Sequence, residues 1–204
     1  GCACNAVSCL QVQLLRTVQA LCEKDGGGYT AHRALLSRDE QAEVYGEALP
    51  VGRAGPAPAG PGMLSRLVAL LLRQSRSSPY RFWLAGCVHK WVQATGPREQ
   101  EFLAGQPGFL AFAVTAASAS AEECFTVRQV LFDMLGELVK FNAPLLDRVW
   151  RTAHKAGVAR AFVSAARGHA VDSSVFVQCC ALTATALERT PVTLSSARGR
   201  VTDA

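Results

Sequence analysis

The sequence predicts an all-α fold, an irregular armadillo- or HEAT-like α-solenoid of about eight helices, and three observations carry that prediction. Apolar residues recur at spacings of three and four along nearly the whole chain, the period of a helix with one buried stripe. Strict two-residue alternation is scarce, so a sheet has few candidate strands. Breaker residues at 25–28, 50–62 and 96–97 separate the periodic runs and leave short connections, as successive helical hairpins require. Nothing alternates strand with helix, which argues against a parallel α/β sheet. No clean fixed-period repeat is visible, so an irregular helical bundle stands as the alternative architecture.

The first helix is expected from about Ser8 to Lys24, with Leu10, Leu14, Val18 and Leu21 on one face and Val12, Leu15 and Cys22 beside them. Asp25-Gly26-Gly27-Gly28 ends it. A weaker helix spans Arg38 to Ala48. Residues 50–62 form a flexible Gly/Pro loop that packs as neither helix nor strand. A third helix covers Met63 to Gln74. The stretch from Arg73 to Leu84 then admits two readings: a serine–arginine strip for nucleic acid, or a helix boundary. Ser78 suits an N-cap and Pro79 the first helical position. Tyr80, Trp83, Leu84, Cys87, Val88 and Trp91 follow at helical spacing, with Arg81, Ala85, His89 and Gln93 on the other side, so the boundary reading is preferred. Gly96-Pro97 closes that helix. Short segments follow at Arg98–Ala104 and Pro107–Ala117. The strongest helix is Phe125 to Phe141, with Val127, Val130, Leu131, Met134, Leu135, Leu138 and Val139 on a broad apolar face. Pro144 opens the next helix, carrying Leu145, Leu146, Val149 and Trp150. Val158–Ala166 and Ser174–Leu187 complete the set, the latter capped by Asp172 or Ser173. Residues 1–188 thus read as one helical-repeat domain, and residues 189–204 as a disordered or mispredicted tail.

Composition restricts function. The chain has 204 residues, half of them hydrophobic and 18% charged, enough to bury a substantial core. Its net charge of +5, from 21 basic against 16 acidic side chains, falls short of a dedicated nucleic-acid footprint. The start at Gly1 instead of methionine suggests a fragment. No secretory signal is visible, and the most apolar runs, 63–72 and 108–117, fall far short of the roughly 20 residues a membrane-spanning helix needs. The expected partners therefore include no nucleic acid, and no membrane insertion is expected. Eight cysteines are compatible with a disulfide framework, but Cys87, Cys124, Cys179 and Cys180 lie in apolar helical patterns, where thiols act as small hydrophobes. Reduced thiols and an intracellular, cytoplasmic setting are expected.

Chemical motifs are few. Cys2, Cys4 and Cys9 cluster, yet structural zinc wants four ligands in paired knuckles, so no metal is expected. Cys179 and Cys180 are neighbours on a helix and point about 100° apart, which disfavours a redox pair. No histidine stands at a motif spacing from a nucleophile or carboxylate, and no phosphate-cradling glycine loop follows a strand. No cofactor and no catalysis are expected. Asp133 and Glu137 lie four apart on what reads as the polar face of the strongest helix. Lys140 can neutralise them, or a partner's arginine could dock there bidentately. Arg73, Arg76 and Arg81 read as a solvated basic loop, in preference to a kinase-read site.

Three segments then resemble one family in their order: Ser78-Pro-Tyr-Arg-Phe-Trp-Leu-Ala85, Phe132-Asp-Met-Leu-Gly-Glu-Leu-Val-Lys-Phe-Asn142 and Val171-Asp-Ser-Ser-Val-Phe-Val-Gln-Cys-Cys180. They are similar to the carboxy-terminal half of the TRUSS family, the short transient receptor potential channel 4-associated proteins. Cys2 to Leu21 also resembles that family's entry helix. The Gly/Pro loop at 50–62 and the segment 189–204 depart from the pattern. The resemblance implies a helical-repeat substrate-recognition adaptor on a cullin-4 ubiquitin-ligase scaffold, selecting proteins by a C-terminal degron with a nearby arginine. It also implies association with a tumour-necrosis-factor receptor and with transient receptor potential calcium-entry channels. A signalling scaffold without a ligase role is the alternative. Asp133 and Glu137 are then the candidate protein-binding residues.

Overall fold

In the computed structural model, which describes residues 3–22, 29–47, 60–93, 95–119, 122–168 and 173–189, every regular element is an α-helix. There are eleven among these residues: α1 Ala3–Cys22, α2 Tyr29–Ala34, α3 Arg38–Tyr45, α4 Met63–Arg73, α5 Tyr80–Val92, α6 Pro97–Gly105, α7 Phe109–Ser118, α8 Phe125–Val139, α9 Ala143–Lys155, α10 Ala159–Arg167 and α11 Ser174–Arg189. The excess over the expected eight comes from short pieces. α2 is only six residues long, too short to show a period. The segments expected at 98–104 and 107–117 form α6 and α7, the second starting only at Phe109 after the Pro107-Gly108 turn. Most of the Gly/Pro loop, Cys2, Gly26–Gly28, Asp172 and the tail from Thr190 lie outside the described residues.

Local sequence explains where helices start. Ser37 and Glu40 form a reciprocal capping box on α3, each satisfying a backbone N–H the helix cannot pair internally. Glu40 does more: its carboxylate also accepts from the Gly62 amide at 3.0 Å and the Ser65 hydroxyl at 2.5 Å, so one side chain holds the starts of α3 and α4 together. Pro97 begins α6 instead of closing α5, since a proline N–H would be idle at that position anyway. The boundary before α5 is as expected, but its cap is not. The Ser78 hydroxyl donates back to Gln74 Oε1 at 2.8 Å, and the turn is closed by the Arg81 amide donating to the Ser78 carbonyl at 3.1 Å.

The helices pack in a row with a second layer behind it. α5 lies between α1 and α8, and α8 lies between α5 and α11. Across this row α4 packs on α5, α7 on α8, and α9 and α10 on α7. Interior positions in the row bury more than one side, which corrects the two-faced reading of α5: Arg81 and Ala85 are as buried as Leu84, Val88 and Trp91, while Trp83 is half-exposed. Leu131, Phe132, Met134, Leu135, Leu138 and Val139 of α8 are fully enclosed. At the far end Phe132 stacks on Phe162, with ring centroids 5.6 Å apart, and Phe176 closes on Phe162 at 5.5 Å, joining α8, α10 and α11 through aromatic contacts. The close approach of α11 to α8 favours a glycine: a Cβ on Gly136 would stand 3.1 Å from the Phe176 Cα, tighter than ordinary van der Waals contact.

Candidate functional site

The segment Lys140-Phe141-Asn142, part of one of the three ordered stretches that resemble TRUSS, turns α8 into α9. Gln100 of α6 lies buried beneath it. Its amide donates to the Glu137 carbonyl at 2.8 Å and the Lys140 carbonyl at 3.1 Å, two acceptors that a helix C-terminus leaves open. The Gln100 oxygen accepts from Asn142 Nδ2 at 3.0 Å, and Asn142 Oδ1 caps α9 by accepting from the Leu145 amide at 3.1 Å. From α11, Thr183 Oγ1 accepts the Phe141 amide at 2.9 Å. This polar core fixes the corner so tightly that Phe141 sits at φ 56°, a left-handed backbone that a bulky residue adopts only under constraint. Its side chain is 59% exposed. An aromatic side chain set out into solvent from a fixed backbone can serve as a protein-binding anchor. Periodicity alone could not find it, because the apolar pattern of α8 runs on through Phe141.

Asp133 and Glu137 lie on the same helix, about two turns and one turn before this corner. The sequence places both on a polar face, whereas Glu137 is buried because neighbouring helices surround α8. The Lys140 ammonium stands 3.7 Å from Glu137 Oε1, the neutralising arrangement expected from the spacing. Asp133 is half-buried and accepts from Gln129 Nε2 at 3.2 Å. His89 on α5 faces the same region. Burial holds its pKa below the ordinary 6.5, the Lys90 charge adds to this, and the Glu137 carboxylate opposes it. The patch of Asp133, Glu137, Lys140 and His89 therefore has mixed charge and an aromatic edge at Phe141.

The arginine cluster around Ser78 does not form one basic loop. Arg81 is buried, its guanidinium held by Glu123 through contacts of 2.6 to 3.1 Å and lying over the Phe112 ring at 4.6 Å. Arg76 pairs with exposed Glu122. Together these bonds tie the start of α5 to the connection between α7 and α8. Glu122-Glu123 reads in sequence as an exposed polar break, and nothing local signals that its partner is 42 residues away.

Among the described residues no group of histidine, cysteine or acidic side chains could hold a metal ion, and Cys9, Cys22, Cys87, Cys124, Cys179 and Cys180 are free thiols. Burial pushes Cys87 up to about 12 and Cys22 and Cys180 up to about 11. These thiols stay protonated and fill space. Cys124 departs from the expected apolar setting. It is exposed just before α8, and a hydrogen bond from Thr126 lowers its pKa. No helix among the described residues is long and apolar enough to cross a membrane.

The human and mouse proteins called short transient receptor potential channel 4-associated protein are each 24% identical to this chain over 193 residues, covering 89% of it. The match takes in 24% of each relative, so the chain spans about a quarter of their length. No solved structure matches it. The resemblance to the TRUSS proteins therefore extends along most of the chain and beyond the three quoted segments. A family model described as "Protein of unknown function (DUF3689)" matches residues 1–202, and the chain belongs to that family.

Proposed function

We propose that this chain is a non-catalytic protein-binding module, a segment of an α-solenoid that tethers partner proteins in a channel-associated scaffold. The observation that carries the reading is the row α1–α5–α8–α11 backed by a second helical layer, together with relatives named for association with a transient receptor potential channel. Helices stacked in a row offer a long continuous face, which suits recognition of extended segments of other proteins. The corner at Lys140–Asn142 supplies the anchor on that face, with Phe141 as the aromatic contact and Asp133 and Glu137 as the acids beside it.

The finer reading is the substrate-recognition adaptor of a cullin-type ubiquitin ligase that the TRUSS resemblance implies. In it the chain selects proteins bearing C-terminal degrons, and other subunits carry out ubiquitin transfer. One experiment separates the two. Affinity purification of the full-length protein followed by mass spectrometry recovers channel or receptor partners under both readings. Cullin and its adaptor are recovered only under the second. Recovery of neither class overturns both readings. At the residue level, changing Asp133→Lys together with Glu137→Lys is expected to weaken capture of an arginine-bearing partner peptide by about tenfold or more, as loss of a charge-assisted contact requires. Unchanged affinity in a folded double variant removes the acids from the site.

A further inference from the structure

The basic side chains are unevenly placed. Between residues 148 and 171 the chain carries Arg148, Arg151, Lys155, Arg160 and Arg167 and not one aspartate or glutamate. That single stretch matches the net excess of +5 of the whole chain. The fold uses two of the five charges internally: Arg148 reaches Glu101 at 2.6 Å, and Arg151 pairs with Asp147 on its own helix. Arg160 and Arg167 instead stand on the wall of an open groove of about 620 Å³ between α9 and α10, with His154 and Ser164 also lining it and, among the described residues, no acidic side chain in the lining.

The groove floor is apolar, formed by Trp150 and Val163. Trp150 is half-buried and held edge-on against the enclosed Phe162 ring, centroids 5.9 Å apart, so its indole is a preformed wall that loses little freedom on binding. Arg160 and Arg167 are seven residues apart, about 10 Å along the helix at 1.5 Å per residue. An extended peptide covers that span in about three residues at 3.3 Å each.

We propose that the α9–α10 groove docks an acidic peptide segment of a partner protein, with two carboxylates about three residues apart on Arg160 and Arg167 and an apolar side chain between them against Trp150 and Val163. The match is one of charge and spacing: guanidinium groups take carboxylates bidentately, and the apolar floor rewards a hydrophobic residue that a purely electrostatic site would not select. A nucleic-acid strand fits less well, because its affinity rests on many phosphate contacts along an extended basic track. The proposal rests on the protein-binding reading and names a partner chemistry for it, at a surface separate from the acidic corner of α8.

The test is fluorescence anisotropy of the 204-residue chain with a labelled peptide carrying two glutamates three residues apart around a leucine. The expected result is saturable binding that weakens with added salt and falls by roughly tenfold or more when the glutamates become glutamines or when the protein carries Arg160→Gln with Arg167→Gln. Both arginines are exposed, so the variant should keep its helical circular dichroism and melting temperature. Arg98→Gln, at an exposed site outside the groove lining, should leave binding unchanged. Equal affinity for the glutamine peptide, or no effect of the double variant, overturns the proposal, as does tighter binding of a single-stranded RNA oligonucleotide at the same groove. Because the assay uses purified components, its failure leaves the co-purification result for the scaffold reading standing.

Discussion

Arg81 and Glu123 have side chains 6% and 0% exposed, so each charge depends on the other for solvation that water no longer supplies. Removing one partner strands the other, which typically costs about 3–5 kcal/mol, whereas replacing both with apolar groups of similar size is often neutral. Glu123→Ala is therefore expected to lose about 3–5 kcal/mol in urea unfolding, and Arg81→Met combined with Glu123→Leu is expected to recover most of it. A single variant no less stable than the parent would show that the pair is solvated. Phe141 gives a second residue-scale prediction. Phe141→Ala and Phe141→Gly lose the same ring, but only alanine keeps a Cβ at positive φ. The glycine variant should be more stable than the alanine variant by about 1 kcal/mol, and equal stabilities would remove the argument for a constrained corner. Neither feature is legible in the sequence. Arg81 occupies a helical position that reads as solvent-facing, and its partner belongs to a polar break far along the chain. The spacing of Asp133, Glu137 and Lys140 is visible in the sequence, and Lys140 reaches Glu137 as that spacing allows. The burial of Glu137 is not visible there, because it depends on the helices packed around α8.

Helices were the most readable level. α4, α8 and α11 begin where periodicity, proline and breaker residues place them, because those signals act locally on backbone dihedrals. What one helix's sequence cannot reveal is how many neighbours it has. A helix buried on one side shows an amphipathic stripe, but α5 and α8 have neighbours on several sides and hide polar residues among them. Gly136 illustrates the difference. In an isolated helix Gly→Ala gains about 1 kcal/mol of propensity. Here the added Cβ would press on the α11 backbone, with the Phe176 Cα at 3.1 Å and its nitrogen at 3.3 Å. Gly136→Ala is expected to destabilise the protein by about 1–3 kcal/mol, the usual range for overpacking. A variant that gains stability would mean that α11 is free to move away from α8.

At the scale of the whole molecule, burial is graded along the row of helices. α5 and α8 are interior, whereas α1 exposes Leu10, Leu14 and Leu21 and α11 exposes Val177 and Leu182. The charge excess is likewise a property of position, concentrated around α9 and α10, although the net charge alone suggests a mild and even bias. Overall composition averaged that strip away, while a scan of acidic residues along the chain reveals it directly. Graded burial implies graded stability, since local opening is easiest where few apolar contacts must break. Backbone hydrogen exchange of the 204-residue chain, followed by mass spectrometry, tests this most directly. The account predicts the slowest exchange in Tyr80–Val92 and Phe125–Val139, with Ala3–Cys22 and Ser174–Arg189 exchanging faster from their outer faces. Protection in either outer helix equal to that of Phe125–Val139, or rapid exchange throughout Phe125–Val139, would contradict the row and the binding face built on it.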